Sequence, residues 1–244
     1  ARHMFRLMDP ISQRMMGLRA DMTTQVARIA ATRLRQAPRP LRLCYAGQVL
    51  RVRGSQLRPE RQYAQAGVEL IGADGVAGDA EVVLLAAEAL QALGVQGLSV
   101  DLTAPSLVPL LTQSLGLEGS EAEAARQALD ARDGAAIETL VPHVRQQLGD
   151  LMRAAGPADS ALECLAGLAL PAPARALCDH LADLVAWLNK HNGGLTLTID
   201  PGESRGFEYQ TGMSFSLFAE GVRGELGRGG RYPLASGESA TGFT

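Results

Sequence analysis

Tyr63, Gln65, Gly67 and Glu69 stand at every second position of one extended run. Side chains two apart share a face of a strand, so a ring, an amide, a gap and a carboxylate line up together. The intervening Ala64, Ala66, Val68 and Leu70 supply an apolar face, which leaves the polar stripe as a floor for a small ligand. A second concentration of chemistry lies at residues 205–232. There Arg205, Glu208, Tyr209 and Gln210 crowd one end of an aromatic run, and Arg231 with Tyr232 returns after Gly227, Gly229 and Gly230. Glycine lets backbone approach a ligand closely, and a ring beside fixed charges suits a small zwitterion. The plainer alternative is a strand and a hairpin whose polar groups are only solvated.

The elements that must position these groups follow from periodicity and breakers. Apolar positions at helical spacing (Val26, Ile29, Ala30, Leu34) predict a helix within residues 18–35, with Asp21 or Thr23 as its N-cap or as polar groups free for a ligand. Pro38 and Pro40 end it. Residues 41–53 and 62–71 read as two long strands joined by a short loop, an antiparallel pair. A helix over 79–93 is expected to be capped by Asp79, followed by a strand at 98–102. From 104 to 194 the texture is alanine- and leucine-rich, with helices expected over 121–129, 135–148 and 174–190 and apolar positions forming either their own core or a partner-facing surface. A strand at 195–199 resumes the sheet. The 205–232 stretch reads as strand, turn around Gly221, second strand at 222–226 and a glycine-opened bend. The expected division is therefore 1–103 and 195–244 as two parts of one sheet domain, with 104–194 as an all-helical insertion.

Bulk properties exclude several classes. The 244 residues carry a formal net charge of −3, which does not point to a nucleic-acid or anionic-membrane partner. No apolar run approaches the roughly 20 residues of a spanning helix, and the start lacks a signal-peptide core, so a cytoplasmic protein is expected. The abrupt first and last residues predict further chain beyond both. Cys44, Cys164 and Cys178 are scattered and form no CxxC pair, and His3, His143, His180 and His191 show no ligand spacing. Buried free thiols, no disulfide framework and no structural metal are expected. No nucleophile elbow, P-loop or dinucleotide fingerprint is present.

Several stretches in order carry a family resemblance: LRADMT at 18–23, the strand ending at Arg51, QYAQAGVELIG at 62–72, RGFEY at 205–209 and GGRY at 229–232. Together they resemble the catalytic core of histidyl-tRNA synthetase, a class II synthetase. More closely, with LMDPISQRMMGLRADMT, they resemble its non-synthesising branch, the regulatory subunits of ATP phosphoribosyltransferase in histidine biosynthesis. The resemblance implies an α+β fold, with a mixed, mainly antiparallel sheet flanked by helices and carrying the all-helical insertion. It also implies a histidine site. Asp21 and Thr23 would receive the α-amino group, helped by Gln65, while Arg51 and Arg205 would face the carboxylate. Glu69 would accept from an imidazole N–H, with Tyr209 and Tyr232 walling the ring. Departures separate the branches. Arg53 stands where the synthetase motif has glutamate, reversing a charge beside the ATP position, and Gln210 stands where a second tyrosine is usual.

The reading that follows is a non-catalytic regulatory subunit without cofactor or metal. It would assemble with the short catalytic phosphoribosyltransferase subunit, as a homodimer within a larger hetero-oligomer, and take histidine as effector. A synthetase core, or a scaffold without a working pocket, are the alternatives.

Overall fold

The computed structural model describes residues 4–54, 59–204 and 209–244. Its first element is a small antiparallel ribbon, β1 (Arg6–Met8) with β2 (Met15–Gly17), in which every strand residue is exposed. Helix α1 (Thr23–Thr32) follows, then β3 (Leu41–Leu50) and β4 (Gln62–Ile71), paired antiparallel along their whole length. Helix α2 (Val76–Ala92) leads to β5 (Leu98–Thr103).

The helical stretch comprises α3 (Leu107–Ser114), α4 (Gly119–Asp130), α5 (Gly134–Glu138), α6 (Pro142–Arg153), α7 (Ala158–Gly167) and α8 (Ala172–His191), with a two-residue strand β6 (Gly156–Pro157) before α7. The chain returns through β7 (Thr196–Ile199), β8 (Ser214–Ala219), β9 (Gly227–Pro233) and β10 (Ser239–Phe243). The main sheet has eight strands in the order β3-β4-β10-β9-β8-β5-β7-β6. Its pairs are antiparallel except β5 with β7, the two strands that bracket the helices.

Register makes the sheet two-sided. Glu69 pairs with Gly242, Gly242 with Gly230, Gly230 with Ser214, and Ser214 with Thr103. Directly paired residues share a face, so one face carries Glu69, the two glycines, Ser214, Thr103 and Asp101. The other face carries Val100, Leu102, Phe215 and Leu217, all buried in one continuous cluster with Val83 and Ala86 of α2 and Leu181, Leu184 and Leu188 of α8. The helices of 104–194 thus share the sheet's core and do not build a separate one. A smaller cluster at one end of the polar face holds Ala30 of α1 against Ile71, Tyr232, Leu234 and Ala240.

Several expectations need correction. Residues 222–226 form a connection, not a strand, turning at Gly221 (φ +72°) and Gly224 (φ +80°). The glycines expected to open a bend lie inside β9. A Cβ on Gly229 would sit 2.5 Å from the Phe215 ring, and one on Gly230 would sit 2.7 Å from the Gln210 amide, so close approach within the sheet selects them. Helix α2 starts three residues before Asp79, at an N-cap glycine, which makes Asp79 an interior residue and not a cap. The single helix expected over 135–148 is two, because Pro142 can open a helix but not continue one. Of the three free thiols only Cys178 is buried, while Cys44 on the outer face of β3 and Cys164 on α7 are exposed.

Candidate functional site

Strand β4 delivers the floor as its alternation predicts, yet its burial is inverted over the first half. Gln65 and Glu69 are 6% and 2% exposed, whereas Ala64 and Ala66 lie open. Burial of amide and carboxylate demands partners, and α1, β3, β9 and β10 supply them. Gln65 accepts from the Met22 backbone N–H at 2.9 Å and donates to Asp21 Oδ2 at 3.2 Å. The other Asp21 oxygen accepts from the Thr23 N–H at 2.7 Å, so the carboxylate links the first residue of α1 to the floor amide, while the N-cap itself is Met22, without a side-chain cap, and not Asp21 or Thr23 as expected. Thr23 Oγ1 meets the Tyr45 hydroxyl at 2.8 Å, and that hydroxyl donates to Glu69 Oε1 at 3.3 Å. The Tyr232 hydroxyl donates to Glu69 Oε2 at 2.8 Å. Tyr209 stands edge-on to Tyr232 with ring centroids 6.0 Å apart.

Asp21, Thr23, Gln65, Glu69, Tyr209 and Tyr232 are therefore joined in one hydrogen-bonded and aromatic assembly. Arg51 sits at its outer rim, exposed, with its guanidinium 5.2 Å from the Tyr63 ring centroid and a 3.5 Å contact to the Ala20 carbonyl. Arg205 lies outside the described residues. Gln210 is buried and turned toward Ser214, accepting from its hydroxyl, while its amide N–H reaches the Tyr209 hydroxyl at 3.4 Å.

Tyr45 is the residue that the sequence did not single out. Its alternation with Arg42 and Cys44 marks it as an inward apolar position, and nothing local says that it pairs with Gly67. The Tyr45 hydroxyl lies 2.5 Å from where a Gly67 Cβ would be. The gap in the floor thus accommodates a phenol, which extends the chain of hydroxyls toward Glu69, where open space for a ligand was expected.

Burial pushes the Glu69 carboxyl up from 4.5 to about 7, against the hydrogen bonds of Tyr232, Thr23 and Tyr45 that favour the anion. Burial, then the charge of Glu69, raises Tyr45 and Tyr232 as well, so both phenols remain donors. The result is a carboxyl that holds its proton more tightly than an ordinary glutamate, surrounded by neutral donors and with no fixed cation among the described contacts. Such a group accepts strongly from an N–H that brings its own positive charge.

Away from this assembly, beside β5 and β7, opens a hollow of about 290 Å³ lined by Asp101, Leu129, Asp130, Arg132, Asp200 and Glu203. Among the described residues no group of three His, Cys, Asp or Glu side chains is placed to hold a metal ion. Nor, among them, is any helix long and apolar enough to cross a membrane.

Against known proteins, the family model described as histidyl-tRNA synthetase matches residues 1–244. The chain belongs to the histidyl-tRNA synthetase family. Within it, the chain is 57% identical over 245 residues to an ATP phosphoribosyltransferase regulatory subunit of Rhodospirillum centenum, covering 100% of this chain and 64% of that protein. It is 48% identical to a protein of the same description from Gluconobacter oxydans, covering 98% of this chain and 63% of the relative. The chain thus spans less than two thirds of the length of these relatives. Among solved structures, an ATP phosphoribosyltransferase regulatory subunit/histidyl-tRNA synthetase from Bacillus halodurans superposes with a TM-score of 0.88 at 27% identity, over 99% of this chain and 65% of that one. The class II synthetase-like fold expected from the sequence is the fold of this chain.

Proposed function

We propose that this chain is the synthetase-like part of a non-catalytic regulatory subunit of ATP phosphoribosyltransferase, and that the assembly around Glu69 is its histidine sensor. The observation that carries the reading is a buried, near-neutral carboxyl held by two phenols beside an acidic and amide-bearing end, in a chain 57% identical to a relative described as such a subunit. In this reading Asp21, Thr23 and Gln65 receive the ammonium, whose three donors match their acceptors. Arg51 and Arg205 receive the carboxylate, Glu69 takes an imidazole N–H, and Tyr209 with Tyr232 walls the ring.

Activity then resides in a separate short catalytic subunit, and histidine acts by binding one conformation of the assembly better than another. Arg53, where synthetases carry glutamate, supports a regulator over an adenylating enzyme. A homodimer within the larger assembly fits the exposed Leu7, Met8, Met15 and Met16 of the first ribbon, since an isolated two-stranded ribbon is marginal in water. The division into sheet domain and helical insertion at 104–194 is supported by β5 and β7 lying side by side at its two ends. The assembly is expected in the cytoplasm, without nucleic acid or membrane as partners.

A second reading, a scaffold with no working pocket, is favoured by the Tyr45 phenol that occupies the space above Gly67. Calorimetric titration with histidine decides between them. Saturable heat at millimolar ligand or below is expected for the sensor, and none from folded protein for the scaffold. Adding the chain to the catalytic subunit, then titrating histidine, is expected to raise and then lower the rate. Histidine-dependent exchange of pyrophosphate into ATP is expected to be absent.

A further inference from the structure

Directly behind the Glu69 assembly, on the helix side of the sheet, lies a polar group that the sensor reading does not use. Asp79 of α2 is fully buried beneath β9 and β10. One of its oxygens accepts from Arg231 Nη2 at 2.8 Å and Thr241 Oγ1 at 2.6 Å; the other accepts from Arg231 Nε at 3.3 Å. Its remaining partner comes from the helical stretch: His180 Nε2 of α8, 2.7 Å from Oδ2. Burial alone would raise this carboxyl, yet His180, Arg231 and Thr241 together hold it below its ordinary value of 3.8, so it is an anion at neutral pH and His180 is the donor.

Arg231 and Thr241 are cross-strand partners, so Asp79 ties β9 to β10 at one rung of the ladder. The next residue on each strand faces the pocket. Tyr232 donates to Glu69, and Gly242 pairs with Glu69 in a register that leaves no room for a Cβ. Arg231 is further pinned by the carbonyls of Ala73 and Gly75. The Asp79 carboxylate thus braces both strands one residue from the positions that face Glu69.

We propose that His180 is a positioning residue for the ligand site, fixing Asp79 and through it the Tyr232 phenol and the Gly242 backbone that shape the surroundings of Glu69. This rests on the sensor reading, and the test separates the two. Histidine is titrated calorimetrically into the wild-type chain and into His180→Leu, His180→Asn, His180→Gln and Val185→Ala, with melting followed in parallel. His180→Leu is expected to bind about tenfold more weakly while remaining folded. His180→Gln, whose amide N–H can reach Asp79, is expected to bind within about twofold of wild type. Val185→Ala removes buried packing from α8 without touching Asp79; it is expected to lower the melting temperature and keep the affinity. Should His180→Leu fail to fold, the shorter His180→Asn takes its place, with the same loss expected. Wild-type affinity in the folded Leu or Asn variant would overturn the proposal and leave the sensor intact, as would an equal loss in Val185→Ala. A folded wild-type chain that binds no histidine would remove the sensor reading, and this proposal with it.

Discussion

The polar face of the sheet carries carboxyl groups at both ends, and they are housed differently. At the β4 end Glu69 is 2% exposed and bonded to neutral hydroxyls from three elements, with the Asp21 carboxylate as its charged neighbour in the same assembly. At the β5–β7 end Asp101, Asp200, Glu203 and Asp130 stand together, partly exposed apart from the deeper Asp130 side chain, and interleaved with cations. Arg132 pairs with Asp200 at 2.5 Å and Arg126 with Asp130 at 2.6 Å. Burial raises Asp101, with Asp200 adding repulsion, and burial then repulsion from Asp101 and Asp200 raises Glu203. Charge at the crowded end is compensated in part by Arg126 and Arg132, and the partial exposure of the other carboxyl groups lets water screen the rest. At the Glu69 end the described partners are neutral hydroxyls and water is excluded, so an incoming cationic donor has more to gain. On the proposed reading the buried Glu69, and not the exposed cluster, is the acceptor for a ligand N–H.

The largest expected effect that tests this contrast is Glu69→Ala. It removes the acceptor and leaves the Tyr45 and Tyr232 hydroxyls facing a void, and a hydrogen bond to a charged group contributes about 1.5–3 kcal/mol. Histidine affinity should fall on the order of a hundredfold by calorimetry, with assembly onto the catalytic subunit retained; a variant that stays fully inhibitable would break the assignment.

Next is pH. Glu69 titrates at about 7 and the imidazole of free histidine ordinarily near 6.5. If the bound pair shares one proton, a proton must be shed on binding well below pH 6.5 and gained well above 7. Affinity should then peak between those values and fall towards tenfold per unit on either side. A flat profile from pH 5.5 to 8.5 would place the imidazole elsewhere. The unliganded chain carries a linked signature. A carboxyl raised on folding contributes stability that is full below its unfolded value of about 4.5 and lost as pH rises through about 7, whereas stabilisation by histidine should be greatest where affinity peaks and should fall again above pH 7.

A smaller effect is expected for Tyr45→Phe, which deletes the hydroxyl linking Thr23 to Glu69 while keeping the ring over Gly67. About 1 kcal/mol, or roughly fivefold in affinity, is the expected loss. Smallest is Asp101→Asn at the opposite end. Thr198 can still donate to the amide oxygen, and histidine affinity should change by less than about twofold. Because the Asp101 pKa is raised on folding, the wild-type carboxyl loses stability as pH rises through its folded value. The variant should therefore be slightly more stable at pH 7, by less than about 1 kcal/mol, and not at pH 3. A strong loss of histidine binding here would mean that the two ends act as one site.

The floor residues were legible because strand alternation is a local property. Two-residue spacing puts Gln65 and Glu69 on one face whatever else the chain does, and β4 runs over the same Gln62–Ile71 that the pattern predicts. The opening of α1 beside Asp21 is local in the same way. Which atoms meet across the fold is not. Tyr45 reaches Glu69 from 24 residues away, His180 reaches Asp79 from 101, and Arg231 and Thr241 reach Asp79 from 152 and 162. No periodicity announces those meetings, so Asp79 passed for a helix cap and the β9 glycines for a bend. By itself the sequence determined the family, the strand that carries the floor and the face it presents, since each is written in short-range pattern. Only the tertiary structure decided that a phenol fills the glycine gap and that an anion braces the sheet from behind, because register between distant strands, and the exclusion of water that comes with it, exists only once the chain has folded.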